Sequence, residues 1–277
     1  MKIYGIDFTS APGPKKVIAF AQCSLAEDGL SLERLGALTS FTELDTFLRQ
    51  PGPWVAGMDF PFSQPRKLIA NLGWPVTWEG MVRHVAGMSK VEFVHALESY
   101  CQGREAGDKH HLRFTDRIAR SRSPMMLYRV PVGKMFFEGA PRLLLAGVSI
   151  PPCLVRDDPR VALEVYPALV ARRWIGGRSY KTDTVKQQST AMRSAREEIL
   201  SRLLSEEANA HFGFDVHLNE DDVDLLVKDG TGDRLDAMLS AVQAGWAYTQ
   251  RDRTFGIPSD CDPLEGWIVD PSLVEDG

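Results

Sequence analysis

The sequence predicts an α/β protein, a sheet flanked by helices, on three observations. Apolar, β-rich runs open the chain at residues 2–8 and 15–24. A helix-period segment at 40–49 leads into another apolar run at 54–60. The same alternation resumes late in the chain, where a run at 161–166 precedes three helical stretches.

Each element has a local reason. Pro12, Gly13 and Pro14 mark a turn between the first two runs, so an antiparallel hairpin is expected. A third, weaker strand is expected at 30–38. Ser40 is placed to cap the helix of 40–49, with Phe41, Leu44, Phe47 and Leu48 on one face. Pro61 stops the 54–60 strand, which should lie parallel to the first. From 63 to 152 the pattern breaks down into a stretch rich in Trp, Met, Arg and His, with a helix at 90–100. It reads as a mostly helical insertion, leaving a core of about 1–62 and 153–270 in a single domain. Pro167 ends the 161–166 strand. Helices are expected at 184–204, 221–227 and 233–246, and a last strand or packed cap at 266–269.

Composition narrows the function classes. Of 277 residues, 44% are hydrophobic and 25% charged, which is ordinary for a folded soluble protein. No apolar run is long enough to span a membrane, and Asp7 interrupts the first run too early for a signal peptide. Cys23, Cys101, Cys153 and Cys261 are scattered and form no zinc or disulfide pattern, so a reducing cytoplasm is expected. The formal charge is −5, yet 104–142 holds nine Lys/Arg and two His against four Asp/Glu. Such a stretch suits a phosphate backbone or a solvated helical surface equally well. Oligomeric state is not legible.

The chemistry resides in carboxylates. Asp7 and Asp59 occupy the same setting, Gly-apolar-Asp-Phe at the end of an apolar strand. A carboxylate in a buried strand needs a partner, and two at matching ends of neighbouring strands face one cleft. Like charges that close call for a cation between them. Glu164 lies in a third apolar run, where an outward-facing strand acid is the competing reading. Asp233 and Asp236, three apart at a helix start, could be metal ligands or simply an N-cap and a first-turn acid. Oxygen donors suit Mg²⁺ or Mn²⁺. Weaker candidates for gripping a substrate are Thr9, Ser10, Arg113, Lys134 and Lys181, and a surface salt-bridge lattice including Asp116 competes for Arg113 and Lys134. His110 and His111 read as surface residues. Trp74 and Trp78 read as bases' stacking partners or, more simply, lid core.

At these residues the chain resembles the domain of unknown function 429 family, described as predicted nucleases with a ribonuclease H-like fold. The matching motifs are GIDFTSAP at 5–12, GMDFPF at 57–62, EVYP at 164–167, GDRLDAMLSA at 232–241 and EGWI at 265–268. RFTDRIARSRSP at 113–124 and the VGKMFFEG starting at Val132 resemble the family's insertion. The resemblance implies a five-stranded sheet in the order 3-2-1-4-5 and metal-binding acids at Asp7, Asp59, Glu164 and Asp236. The D-x-x-D-A ending is also similar to the last acidic motif of Holliday-junction resolvases, which implies a ligand role for Asp236 and a second one for Asp233. The expected function is a divalent-metal-dependent nuclease acting on nucleic acid of undetermined type. In it Asp7 bridges two ions, Asp59 and Asp236 complete one shell each, and Glu164 binds metal or orients water. The alternatives are a non-catalytic nucleic-acid-binding or regulatory module on the same fold and, less well supported, an actin-like phosphotransferase, for which no second glycine-rich phosphate loop is found.

Overall fold

The computed structural model describes residues 1–274. Strand β1 (Lys2–Asp7) pairs antiparallel with β2 (Ile18–Ala26), and β2 antiparallel with β3 (Gly29–Leu38), so the hairpin expected from the Pro-Gly-Pro turn forms. On the other side of β1 lies β4 (Trp54–Asp59), parallel to it as expected. Next comes β5 (Arg160–Glu164), parallel to β4. A two-residue strand, β6 (Val216–His217), adds in parallel to the outer edge of β3. The sheet is therefore mixed and six-stranded, in the order β5-β4-β1-β2-β3-β6. This corrects the five-stranded expectation: a strand of two residues carries no periodicity for sequence reading to find.

Helix α1 (Phe41–Leu48) is capped by Ser40, whose hydroxyl accepts the Glu43 N–H, and it buries Leu44 and Leu48. Between β4 and β5 the chain forms α2 (Arg66–Asn71), α3 (Trp78–Ala86), α4 (Lys90–Cys101), α5 (Phe114–Ala119) and α6 (Val132–Ala146). After β5 come α7 (Pro167–Ile175), α8 (Thr190–Leu203), α9 (Glu206–Phe212), α10 (Glu220–Lys228) and α11 (Asp233–Thr249). Helix α8 begins later than expected because a 3₁₀ turn takes Val185–Gln187 and Ser189 supplies the cap, accepting from Met192 N–H. Pro167 ends β5 and opens α7 as its first residue, where its missing N–H has no cost. The closing segment makes a single parallel bridge, Ile268 to Glu164, rather than a full strand.

Strand alternation divides the core in two. On one face Tyr4, Ile6, Met58 and Ala162 join a cluster with α1 and with Trp78, Phe93, Phe136 and Leu143 of the 63–152 helices. Trp74 and Trp78 are buried there, as core. On the other face Ile3, Val55, Leu163 and Val165 pack against α7, α8 and the nearly wholly buried α11. Helix α11 lies unusually close to the sheet. An added Cβ at Gly5 would come 1.9 Å from the Ala237 carbonyl oxygen, and one at Gly57 would come 2.5 Å from that of Ser240. Gly5 and Gly57 are register partners on β1 and β4, so together they form the floor on which α11 rests.

Candidate metal centre

Two residues beyond that glycine floor, on the same face and in the same register, are Asp7 and Asp59. The close seat of α11 brings its first turn over them and delivers Asp236. One oxygen from each of these three carboxylates lies within 4.8 Å of the others, a spacing that can hold a metal ion. Asp236 is 1% exposed and Asp7 8%. Neither Asp7 nor Asp59 accepts a hydrogen bond from a side chain or backbone among the described residues. Carboxylates withdrawn from water normally have such partners, and buried Asp7 and half-buried Asp59 lack them.

The charges show that crowding. Burial pushes the Asp59 carboxyl up from an ordinary 3.8 to about 7; Asp236 and Glu164 add to this and Lys181 opposes it. Burial likewise raises Asp7 well above the usual carboxylate range, with Lys181 opposing and Asp236, Asp233 and Asp59 reinforcing. Asp236 is the partnered member. Tyr180 Oη donates to its Oδ1 at 2.6 Å, and Lys181 Nζ donates to its Oδ2. Burial pulls the Lys181 ammonium down, but Asp236, Tyr180 and Asp7 outweigh it and hold its proton above the ordinary lysine range.

The segment carrying Tyr180 and Lys181 is fixed by Arg196 of α8. This buried guanidinium donates to the Tyr180 carbonyl at 2.6 Å and to that of Val227 at 2.9 Å. Gly232 sits before α11 at φ 75°, and a Cβ there would come 2.7 Å from Lys181 Cβ. A side chain at 232 would thus collide with the lysine and strain the backbone. Gly232 is the cap of α11, so Asp233 is its first helical residue and not the N-cap that the bland reading of the sequence expected.

The expected fourfold convergence is corrected to three. In register with Met58, Glu164 follows the even-numbered face of its neighbour and points to the other side of the sheet from Asp59. There Arg113 holds it with two hydrogen bonds, 2.8 Å and 2.5 Å, and Phe62 N–H donates to it at 2.8 Å. Asp233 also stands apart, paired with Lys16 at 2.8 Å; Lys16 reaches Asp183 as well.

The substrate-gripping candidates divide. Arg113 is 1% exposed and commits its guanidinium to Glu164, Asp116 and the Glu265 carbonyl. It is neither a phosphate clamp nor part of a surface lattice, because both it and Asp116 are buried. Lys181 points at Asp236 and lines the cleft beside the acids. Ser10 is buried and Thr9 half-buried just past Asp7, while Lys134 lies at the start of α6; none of the three lines the cleft. His111 is buried and bonded to Tyr100 Oη at 2.7 Å, which corrects its surface reading.

Sequence reasoning missed Tyr180, Lys16 and Arg196. Only Tyr180 had an available signal, its place beside Lys181; the other two meet their partners from α8 and from the β1–β2 turn. The cleft next to the acids has a volume of about 200 Å³ and is walled by Phe60, Tyr166, Pro167, Val132 and Met135 among others.

Fold and site together define an α/β protein whose sheet ends in a buried three-carboxylate cluster capable of holding a metal ion. The chain belongs to the family described as protein of unknown function (DUF429), whose model matches residues 5–261. No curated protein and no solved structure matches it. Among the described residues, no helix is long and apolar enough to cross a membrane.

Proposed function

We propose that this protein is a divalent-metal-dependent nuclease with a ribonuclease H-like core, using Mg²⁺ or Mn²⁺ held by Asp7, Asp59 and Asp236. The observation that carries the reading is the pair of carboxylates, buried Asp7 and half-buried Asp59, left without hydrogen-bond partners within 4.8 Å of a third, buried one. The donor set fits the ion: all oxygen, at the carboxyl ends of parallel strands, opening on a cleft. A bound cation would polarise a phosphodiester and lower the pKa of an attacking water. Lys181 would stay on Asp236 and temper the negative charge of the cluster beside the phosphate. Tyr180 would keep Asp236 oriented through its hydroxyl. Arg113 and Glu164 would act one layer back, fixing the segment after Asp59 through the Phe62 N–H.

The test is calorimetric titration of Mn²⁺ and Mg²⁺ together with cleavage assays on single-stranded, duplex, hybrid and branched nucleic acids. Metal-dependent cleavage lost in Asp7→Asn is the expected result. Metal binding with no cleavage of any of the four would refute the nuclease assignment.

One observation favours a second reading, a non-catalytic nucleic-acid-binding or regulatory module. Lys181 already supplies a positive charge to Asp236, as a structural ion pair would. Nucleic-acid binding indifferent to EDTA and to Asp7→Asn would select that reading.

A further inference from the structure

Every cation lining the cleft but one is already engaged. Arg113 is buried on Glu164 and Asp116, and Lys181 is ion-paired with Asp236. Arg122 lines the same cleft, is exposed, and has no ion-pair or hydrogen-bond partner among the described residues. A duplex needs a row of free cations along both backbones, and neither this rim nor a chain of net charge −5 supplies it.

The rest of the cleft lining differs in character. Val130, Val132 and Met135 contribute apolar lining from the 63–152 segment, and Tyr166 and Pro167 contribute more from just past β5. Val130 is 44% exposed, more than an apolar residue in a closed core would be. Tyr166 is held in place, since its N–H donates to Gln243 Oε1 at 3.1 Å and the Arg172 guanidinium lies 5.1 Å from its ring centroid. The cleft thus combines an acidic cluster that suits a cation-bound phosphate, a free guanidinium that suits a second anion, and apolar walls that suit a flat body.

We infer that the cleft takes a single unpaired nucleotide, its base between Tyr166 and the Val130–Met135 wall, one phosphate at the acidic cluster and the next at Arg122. This rests on the nuclease reading above and narrows its substrate to single-stranded or extruded positions. Paired bases cannot enter, because a base must leave its stack to reach a recessed site. Base stacking on an aromatic side chain is a sequence-tolerant contact, so little preference among the four bases is expected.

The probes are a fluorescein-labelled eight-nucleotide oligothymidylate and the same strand annealed to oligoadenylate, titrated by anisotropy in Ca²⁺ with Mn²⁺ calorimetry on the same wild-type protein. The expected result is single-strand binding at least tenfold tighter than duplex. Tyr166→Ala should weaken it about tenfold, Tyr166→Phe should restore most of it, and Arg122→Ala should weaken it and flatten its salt dependence. Equal or tighter duplex binding overturns the inference even if either variant fails to fold. Mn²⁺ binding with no oligonucleotide binding overturns it while leaving the metal centre standing. Absence of Mn²⁺ binding removes the centre and this inference with it.

Discussion

Asp59→Asn should stabilise the metal-free protein, and by an amount that depends on pH. The wild-type carboxyl titrates near 7 in the folded chain against 3.8 for an ordinary aspartate, chiefly through burial and then through Asp236. A folded-state pKa raised in this way contributes stability below about pH 4 that is lost as pH rises through 7. At about 1.4 kcal/mol for each tenfold in proton affinity, the ionised carboxylate costs the fold at most about 4 kcal/mol at pH 8. At pH 5 the folded protein keeps this proton, and the cost falls to less than half of that ceiling. Asparagine carries no charge at either pH. The stability of Asp59→Asn relative to wild type should therefore rise by about 2–3 kcal/mol from pH 5 to pH 8, or about 5 °C in melting temperature for a chain of this size. Thermal and urea unfolding in EDTA measure it. Mn²⁺ at a hundred times Kd should offset much of this difference, stabilising wild type by about 2.7 kcal/mol and the variant far less. A pH-independent difference, or an equal Mn²⁺ gain in both proteins, would refute the argument that Asp59 is an uncompensated buried charge awaiting a cation.

Further outcomes follow from the same geometry. Wild-type Mn²⁺ affinity should tighten by at least tenfold per pH unit below about pH 7, where Asp59 must lose its proton and the likewise raised Asp7 adds to the slope; calorimetry at pH 5.5 and 6.5 checks this. Arg113→Met leaves Glu164 and Asp116 buried without their counter-charge and should cost about 3–5 kcal/mol in urea unfolding; a loss below 1 kcal/mol would contradict the buried-network account. Lys181→Met should lower metal-free stability while enlarging the rise in melting temperature on adding Mn²⁺, because the ion then becomes the only counter-charge for Asp236. Gly5→Ala places a methyl against the Ala237 carbonyl; it should cost about 3 kcal/mol and weaken Mn²⁺ binding by displacing α11, whereas unchanged Mn²⁺ affinity would separate the glycine floor from the metal centre.

Much of this protein was written locally. The Gly-apolar-Asp-Phe repeats, the Ser40 cap and the Pro-Gly-Pro turn each act over a few residues, so the strands β1, β2 and β4, the helix α1 and the pairing of Asp7 with Asp59 were legible from the chain alone. The two glycines were legible as motif members but not as what they are, the space into which α11 settles. What only the tertiary structure decided depends on register and on remote encounters. A shift of one residue turns a side chain to the opposite face, so the alignment of Glu164 with Met58 removed it from the cluster and gave it to Arg113, 51 positions away. The same kind of long-range meeting placed Lys181 on Asp236 and Lys16 on Asp233. Local physics fixes which residues lie along a strand or helix face, but which buried charge finds which partner is set by how the sheet and helices close on one another.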